Sequence, residues 1–332
     1  MAVIENRADK PRLEWLDYTR LFAALTVVAF HYFYNGIRNG KISSLEPFPE
    51  IVRTVCSYGA IGVPLFFAIS GFVILSSACN TTPLQFLIAR TLRLWPAFVV
   101  CMSTTAIVLL IWPSDLMPIS WPQYLNNLTM VPEISSPGTP FVDGVYWTLR
   151  LEITFYSIVF VILLIGQIRR AQILLEMWIA WQIIALCFPN LGLPLIGYDG
   201  FFAGGCAYFL LHKNGPSIRT ILDIVACFVL SSFNLVEQKI AGDVWVTAFI
   251  FGLFATMTLT PLGSSRLPYA AAIGALTYPL YLLHAHIGYT LLSQFGSREH
   301  PYVSVFAVLT IVMALSWSVA IFVERPVQSL RR

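Results

Sequence analysis

The sequence predicts an all-α integral membrane protein with about ten transmembrane helices, and three observations support that class. Of its 332 residues, 57% are hydrophobic and only 11% are charged, whereas an average soluble protein is about 25% charged. Apolar stretches of about 20 residues, the length that crosses roughly 30 Å of hydrocarbon, recur along the whole chain. Basic residues collect in alternate loops. A cytosolic enzyme, a disordered tail protein and a disulfide-stapled secreted domain are excluded.

The candidate spans follow one another with few long connections. They cover residues 14–34, 58–79, 89–112, 146–166, 171–189, 195–212, 218–236, 243–261, 270–292 and 302–323. Pro and Gly interrupt or flank the fifth, sixth and ninth spans. The longest remaining stretches, 35–57 and 113–145, are rich in Pro, Ser and polar residues and neither can bury a core of its own. We therefore expect a single transmembrane domain over residues 1–332.

The ends and loops of the chain predict its orientation. The first dozen residues are polar and lack the apolar core and cleavage site of a signal peptide, so the first span is expected to remain as an anchor. Loops on the side of the N-terminus hold most of the Lys and Arg, including Arg169 and Arg170, whereas the 113–145 loop holds none. Because cytoplasmic loops collect positive charge, both termini are predicted to be cytoplasmic and the 113–145 loop external.

Charge and cysteine content exclude several partners. The net charge is +3, from 20 basic and 17 acidic residues, and no run of Lys or Arg indicates nucleic-acid binding. The six cysteines form no CxxC pair and most lie in apolar runs, where Cys is a small buried hydrophobe. Neither a disulfide framework, nor a metal site, nor a bound cofactor is predicted. The sequence leaves the oligomeric state open.

Four ionisable residues within the spans are candidate functional groups, because such a side chain in a membrane helix costs a few kcal/mol. Arg20 and His31 share the first span and are separated by about 16 Å of helix. A histidine there either exchanges protons near neutral pH or bonds a neighbouring helix as packing. Glu152 in the fourth span and His284 in the ninth fall in the same outer half as His31. The three would then share one polar cavity.

Arg90 and Arg93 begin the third span, three residues apart and on one helix face. Two guanidinium groups at the cytoplasmic boundary can hold a phosphorylated ligand. Arginines at this position also commonly set topology or bind lipid headgroups. No GxSxG, HExxH or Walker motif is present. Composition therefore leaves open an enzyme, a proton-coupled transporter or flippase of a phosphorylated or glycan substrate, and a non-catalytic sensor.

A series of short strings occurs in order along the chain. LDYTRLFAALTVVAFHY holds Asp17, Arg20 and His31; YWTLRLEITFY holds Trp147, Glu152 and Tyr156; TYPLYLLH holds Thr277, Tyr281 and His284; and Glu324 opens the terminal Glu-Arg-Pro. With GVPLFFAISGFVI, ARTLRLWP and a Phe-x-x-Gly near residue 204, this set resembles the acyltransferase-3 family, bacterial inner-membrane acyltransferases that modify extracytoplasmic glycans. The resemblance covers nearly the whole chain.

The resemblance implies transfer of an acyl group, most often acetyl from cytoplasmic acetyl-CoA, to a sugar hydroxyl of a glycan such as O-antigen or exopolysaccharide. His31, Glu152, Arg20 and Asp17 are the implied catalytic residues. His31 would act as general base on the hydroxyl or as a transient acyl carrier, with Glu152 orienting or charge-balancing it and Asp17 holding Arg20. Arg90 and Arg93 are expected to bind acyl-CoA.

The remaining expectations concern the acceptor side and the setting. Residues implied to bind the acceptor or support the site are Tyr156, Thr277, Tyr281, His284, Trp147 and Glu324. Thr277 stands where the family usually has serine and keeps the hydroxyl. Many members carry a further C-terminal periplasmic esterase-like domain, and the chain is expected to be the stand-alone form. Its expected setting is the bacterial inner membrane, as a multi-pass protein whose partners are acyl-CoA, a glycan or lipid-linked saccharide, and membrane lipids.

Overall fold

The computed structural model describes residues 13–195, 197–237 and 243–329. Within these ranges the regular structure is entirely helical, which confirms the all-α part of the prediction. Its ten long helices, one overlapping each predicted span, are α1 (Trp15–Phe30), α2 (Gly62–Ala78), α3 (Pro83–Ile111), α4 (Trp147–Leu164), α5 (Ala171–Cys187), α6 (Asp199–Asn214), α7 (Ile218–Glu237), α8 (Asp243–Leu259), α9 (Ala270–Phe295) and α10 (Pro301–Val319).

Six helical stretches of the described residues are long and apolar enough to cross a membrane. They are Glu50–Ala78, Pro83–Ile111, Gly144–Leu164, Gln167–Cys187, Ile218–Leu235 and Pro301–Val327, and Val244–Leu259 is apolar but shorter. Helices α1, α6 and α9 are not among the six. The count of ten spans and the cytoplasmic position of both termini stay predictions.

The centre of the bundle is built from α1, α2, α6 and α9. Helix α6 packs along α2, and α9 packs against α1, α3 and α10. Glycines permit the closest approach: a Cβ atom at Gly71 would lie 2.0 Å from the carbonyl oxygen of Phe202, and one at Gly205 would lie 2.0 Å from that of Ala68. The glycine of the second-span string therefore serves helix packing, because any side chain there would separate the two helices.

Peripheral helices present apolar side chains outward. Exposed examples are Ile183 on α5, Leu222 on α7, and Val303 and Phe306 on α10. In contrast, most residues of α6 and of the middle of α9 are buried. An apolar exterior around a more polar centre is the arrangement expected of a protein surrounded by lipid.

The segment between α3 and α4 is folded back on α3. It contains short helices at Trp121–Asn127 and Pro132–Ser135. The buried amide of Asn127 donates to the carbonyl oxygen of Pro140 at 3.0 Å, and the hydroxyls of Ser103 and Tyr124 lie 2.9 Å apart. A stretch that the sequence indicates only as a polar loop is thus ordered by its own amide side chains, and it brings Asp143 to the site described below.

Candidate active site

Arg20 lies on α1, and His31 begins the π-helical turn that continues this helix. The helix is α-helical over Trp15–Phe30 and continues as a π-helical turn over His31–Asn35. Such turns insert one extra residue into the helical register and are frequent at functional sites. Near the start of α1, Asp17 pairs with Arg20 at 3.3 Å and is itself almost fully buried. The helix therefore presents a cation at one level and an imidazole at another.

One cavity, here called the arginine cavity, lies among α1, α2, α3, α4 and α9. Its volume is about 110 Å³. Its polar lining includes Arg20, Arg90, Arg93, Glu152, Tyr156 and Thr277. Three guanidinium groups facing one carboxylate make this cavity a favourable place for a polyanion.

Arg90 and Arg93 have different surroundings although they share one helix face. Arg93 donates to the buried Glu324 carboxylate at 2.7 Å. Arg90 donates to the Ser77 hydroxyl at 3.1 Å, and its guanidinium carbon lies 5.6 Å from the centre of the Phe86 ring. Its buried Nε has no hydrogen-bond partner among the described residues. Arg90 therefore keeps donor capacity for a ligand, whereas Arg93 is held by an ion pair.

Glu152 belongs to the arginine cavity. Its Oε1 accepts hydrogen bonds from the Ser70 hydroxyl at 3.2 Å and from the Tyr156 hydroxyl. It does not line the cavity that contains His31. The expectation that His31, Glu152 and His284 share one cavity is therefore wrong, because Glu152 projects from α4 toward the arginines.

The second cavity, here called the histidine cavity, has a volume of about 370 Å³. Its polar lining includes His31, Asn35, Lys41, His286, Tyr289 and Tyr281. His31 Nδ1 is hydrogen-bonded to the Tyr289 hydroxyl, and the Asn35 amide donates to the same hydroxyl at 3.2 Å. One nitrogen of the imidazole is thus occupied, so Nε2 is the atom left for chemistry.

His284 lies behind His31. The two rings have centroids 5.0 Å apart. His284 Nδ1 bonds the carbonyl oxygen of Tyr281 at 2.8 Å, so that nitrogen carries the proton and Nε2 holds a lone pair. In the part of the chain that the structure describes, this buried Nε2 has no partner. His284 therefore packs against the His31 ring and lines neither cavity.

The segment before α4 makes hydrogen bonds to α9 at the wall of the histidine cavity. The carboxylate of Asp143 accepts from the backbone N–H of His286 at 2.8 Å and from that of Val145 at 3.1 Å. The Tyr146 hydroxyl donates to the carbonyl oxygen of Leu282 at 3.3 Å. In an α-helix the N–H of residue 286 pairs with the carbonyl of residue 282, so these side chains contact both groups of one backbone pair. The segment before α4 thereby fixes the cavity wall.

The two cavities meet at Val63 of α2 and Tyr281 of α9, which line both. The Tyr281 hydroxyl lies 3.0 Å from the Thr148 hydroxyl, and its ring packs against Phe66 with centroids 5.5 Å apart. The two cavities therefore adjoin at these two side chains.

The residues that the family resemblance implies on the acceptor side are distributed between the two cavities and their surroundings. Trp147 lines the histidine cavity, and Tyr281 lines both cavities. Tyr156 and Thr277 line the arginine cavity, and Glu324 contacts Arg93 beside it. The functional roles of all these residues stay predictions.

Several residues of the histidine cavity are absent from the sequence interpretation, among them Tyr289, Asn35 and Lys41. Tyr289 follows His284 by five residues on α9, and Asn35 follows His31 by four on the first helix. Helical spacing alone could have placed Asn35 beside His31. The position of Lys41 depends on how the chain folds after the π-helical turn, which no local pattern indicates.

The chain belongs to the acyltransferase-3 family: the family's model, described as an acyltransferase domain, matches residues 13–323. It is therefore an acyltransferase, and its apolar helices together with the family make it a multi-pass membrane protein.

Two relatives extend the comparison. The chain is 24% identical over 364 residues to Nodulation protein 10 of Rhizobium leguminosarum bv. viciae, covering 95% of this chain and 93% of the relative. It is 24% identical over 298 residues to the O-acetyl transferase of Shigella phage Sf6, covering 80% and 83%. No solved structure matches the chain. These similarities support membrane O-acyltransfer as the activity.

Proposed function

We propose that the protein transfers an acetyl group from cytoplasmic acetyl-CoA to a hydroxyl of a glycan or lipid-linked saccharide at a bacterial inner membrane. The arginine cavity takes the donor and the histidine cavity takes the acceptor. One observation carries the proposal: Val63 and Tyr281 line both cavities, so a thioester entering from one side and a hydroxyl entering from the other can meet. Positioning two reactants in this way is a large part of catalysis of a bimolecular step.

Charge supports the assignment of the donor. Acyl-CoA carries several phosphate charges, and the arginine cavity contributes Arg20, Arg90 and Arg93. Arginine donates paired hydrogen bonds to phosphate oxygens. Arg90 is the residue we assign to direct phosphate contact, because its buried Nε has no partner among the described residues.

His31 is the general base in this proposal. His31 Nδ1 is hydrogen-bonded to the Tyr289 hydroxyl, and the tautomer assigned in this proposal has Nδ1–H donating to the Tyr289 oxygen, which leaves the lone pair on Nε2. Nε2 takes the proton of the acceptor hydroxyl while that oxygen bonds to the thioester carbonyl carbon. The carbon–sulfur bond then breaks, and the imidazolium returns the proton to the CoA thiolate. In the alternative route, Nε2 attacks the thioester carbon and the carbon–sulfur bond breaks to release the CoA thiolate. The acceptor hydroxyl then takes the acetyl group from the histidine, and its proton goes to the thiolate.

Glu152 acts on the donor side in this scheme. Because it accepts from Ser70 and Tyr156 in the arginine cavity, we assign it to holding those hydroxyls and balancing the guanidinium charge there. Direct contact with His31 is not part of its proposed role.

The test uses sealed, oriented bacterial membrane vesicles that contain the protein and endogenous glycans. Radiolabelled acetyl-CoA is supplied on the cytoplasmic face, and label is followed into glycan and into protein. Wild type is compared with His31→Gln and with the control His300→Gln, whose side chain is exposed outside both cavities.

We expect label in glycan for the wild type and the control, and none for His31→Gln. Label retained on wild-type protein when acceptor is withheld identifies the acyl-histidine route. If expression and donor supply are verified and His31→Gln labels glycan as well as wild type does, His31 is not the base. If no acyl transfer occurs with any variant while a saccharide crosses the membrane, the transporter hypothesis replaces the proposal.

A further inference from the structure

Lys41 places an ammonium group in the histidine cavity. Among the described residues, none of the ion pairs within 4.0 Å includes Lys41. Its Nζ instead lies 3.5 Å from His286 Nε2 and 5.6 Å from the centre of the Tyr289 ring. These two contacts are with neutral groups, and no carboxylate of the described residues pairs with the ammonium within 4.0 Å, so its charge is available to a ligand.

The imidazole of His286 acts as an acceptor toward Lys41. Its Nδ1 bonds the carbonyl oxygen of Val142 at 3.0 Å, so the proton is on Nδ1 and the lone pair is on Nε2. The same Nε2 accepts the backbone N–H of Gly144 at 3.3 Å. The neighbouring Asp143 carboxylate already accepts two backbone N–H groups. That carboxylate also lines the cavity, and its Oδ1 lies 4.0 Å from His286 Nε2, the atom that Lys41 contacts.

The backbone at Lys41 is fixed on both sides. Its N–H donates to the carbonyl oxygen of Gly36 at 2.8 Å, and its carbonyl oxygen accepts from the Ser293 hydroxyl at 2.9 Å. The first bond connects Lys41 to Gly36, directly after the π-helical turn, and the second connects it to α9. The ammonium is therefore held next to the same tyrosine, Tyr289, that bonds His31.

We propose that Lys41 forms a subsite for an anionic group of the acceptor, so that the protein prefers acceptors that carry a negative charge near the reacting hydroxyl. The proposal rests on the proposed function for the identity of the acceptor. Its chemistry is a carboxylate or phosphate oxygen on the ammonium, with the Tyr289 ring beside it. A sugar carboxylate and the phosphate of a lipid-linked saccharide are the two sources.

The experiment measures binding, without acetyl-CoA and without turnover, to the full chain in neutral phosphatidylcholine nanodiscs. Four probes form two matched pairs: methyl glucuronide with methyl glucoside, and a short isoprenyl phosphate with its isoprenol. Each pair differs only in the anionic group. The variants are Lys41→Met, Lys41→Arg and, as a control, Lys213→Met at a lysine that lies outside the histidine cavity, 5.9 Å from the Phe209 ring centre.

Gly144 offers an independent variant. A Cβ atom there would lie 4.0 Å from Lys41 Nζ and 3.6 Å from His286 Nε2, which are ordinary contact distances. Gly144→Asp therefore supplies an internal carboxylate to the ammonium, and Gly144→Asn is its uncharged counterpart. If Lys41→Met fails to fold, this pair still tests the subsite.

We expect wild type and Lys213→Met to bind the anionic member of at least one pair about tenfold more tightly, which corresponds to about 1.4 kcal/mol. Lys41→Met and Gly144→Asp should lose this preference, whereas Lys41→Arg and Gly144→Asn should keep most of it. The pair that shows the preference identifies carboxylate or phosphate as the source. No preference in the wild type, or an equal preference in folded Lys41→Met, overturns the subsite. Because acetyl-CoA is absent, failure of the acyl-transfer proposal would leave this result unchanged.

Discussion

The arginine cavity and the histidine cavity share helices but balance their charges differently. In the first, Arg20 pairs with Asp17 and Arg93 pairs with Glu324, both carboxylates being nearly fully buried. In the second, His31 contacts the neutral Tyr289, and His286 bonds the backbone carbonyl oxygen of Val142. The first cavity is held by ion pairs; in the second the histidines make neutral hydrogen bonds, and the buried Asp143 carboxylate accepts backbone N–H groups.

This difference predicts how substitutions in each cavity change stability, donor affinity and turnover. Removing one member of a buried ion pair leaves an uncompensated charge, so stability and donor binding suffer together. A neutral hydrogen bond contributes less to stability, but it sets the tautomer and orientation of a histidine. Variants of the arginine cavity should therefore change folding and affinity for the donor, and variants of the histidine cavity should change turnover.

The largest expected effect is that of His31→Gln on turnover. A positioned general base contributes about 10²- to 10⁴-fold, so the rate of acetyl transfer should fall by that factor. The dissociation constant for acetyl-CoA should not change, because His31 does not line the arginine cavity. Single-turnover kinetics and equilibrium binding of radiolabelled acetyl-CoA measure the two quantities. Weakened donor binding equal to the loss of rate would contradict the separation of the cavities.

The next effect concerns the stability of the arginine cavity. Arg93→Gln leaves the buried Glu324 carboxylate without its cation, and the free energy of unfolding should fall by about 3–5 kcal/mol. Denaturant titration in mixed micelles measures it. The control is Arg298→Gln, whose partner Glu46 is exposed at a distance of 3.3 Å and whose loss should cost about 0–1 kcal/mol. Equal losses at the two sites would show that burial does not distinguish them.

Arg90→Gln should separate donor affinity from stability. Arg90 has no carboxylate within 4.0 Å among the described residues and donates to the Ser77 hydroxyl. Hydrogen bonds to charged groups contribute about 1.5–3 kcal/mol, so the dissociation constant for acetyl-CoA should rise about 10- to 100-fold. Arg38→Gln is the control, since Arg38 also lies 5.6 Å from an aromatic ring centre but lines neither cavity. An unchanged affinity in Arg90→Gln would remove it from the donor site.

The sequence predicted the helical class and the membrane setting because composition and span length are local properties. The family resemblance implied that Asp17 holds Arg20, and the structure shows the two side chains 3.3 Å apart. The sequence could not assign Glu152 to a cavity, because its neighbour Ser70 comes from α2, 82 positions earlier in the chain. The different surroundings of Arg90 and Arg93 depend in the same way on Glu324, 231 positions after Arg93. Identical residue types on one helix face gave no signal of that difference.

The smallest expected effect tests the neutral side of the comparison. Tyr289→Phe removes the hydroxyl that holds His31 Nδ1, and the turnover number should fall about 2- to 10-fold, as the loss of one neutral hydrogen bond implies. The KM for acetyl-CoA should stay the same. Asn35→Leu removes a second donor to that hydroxyl, so the double variant should lose less than the product of the two single effects. Tyr302→Phe, exposed and outside both cavities, should leave turnover unchanged. If the two losses of turnover multiply fully in the double variant, Tyr289 and Asn35 act independently. The proposal that both orient His31 through the Tyr289 hydroxyl would then be wrong.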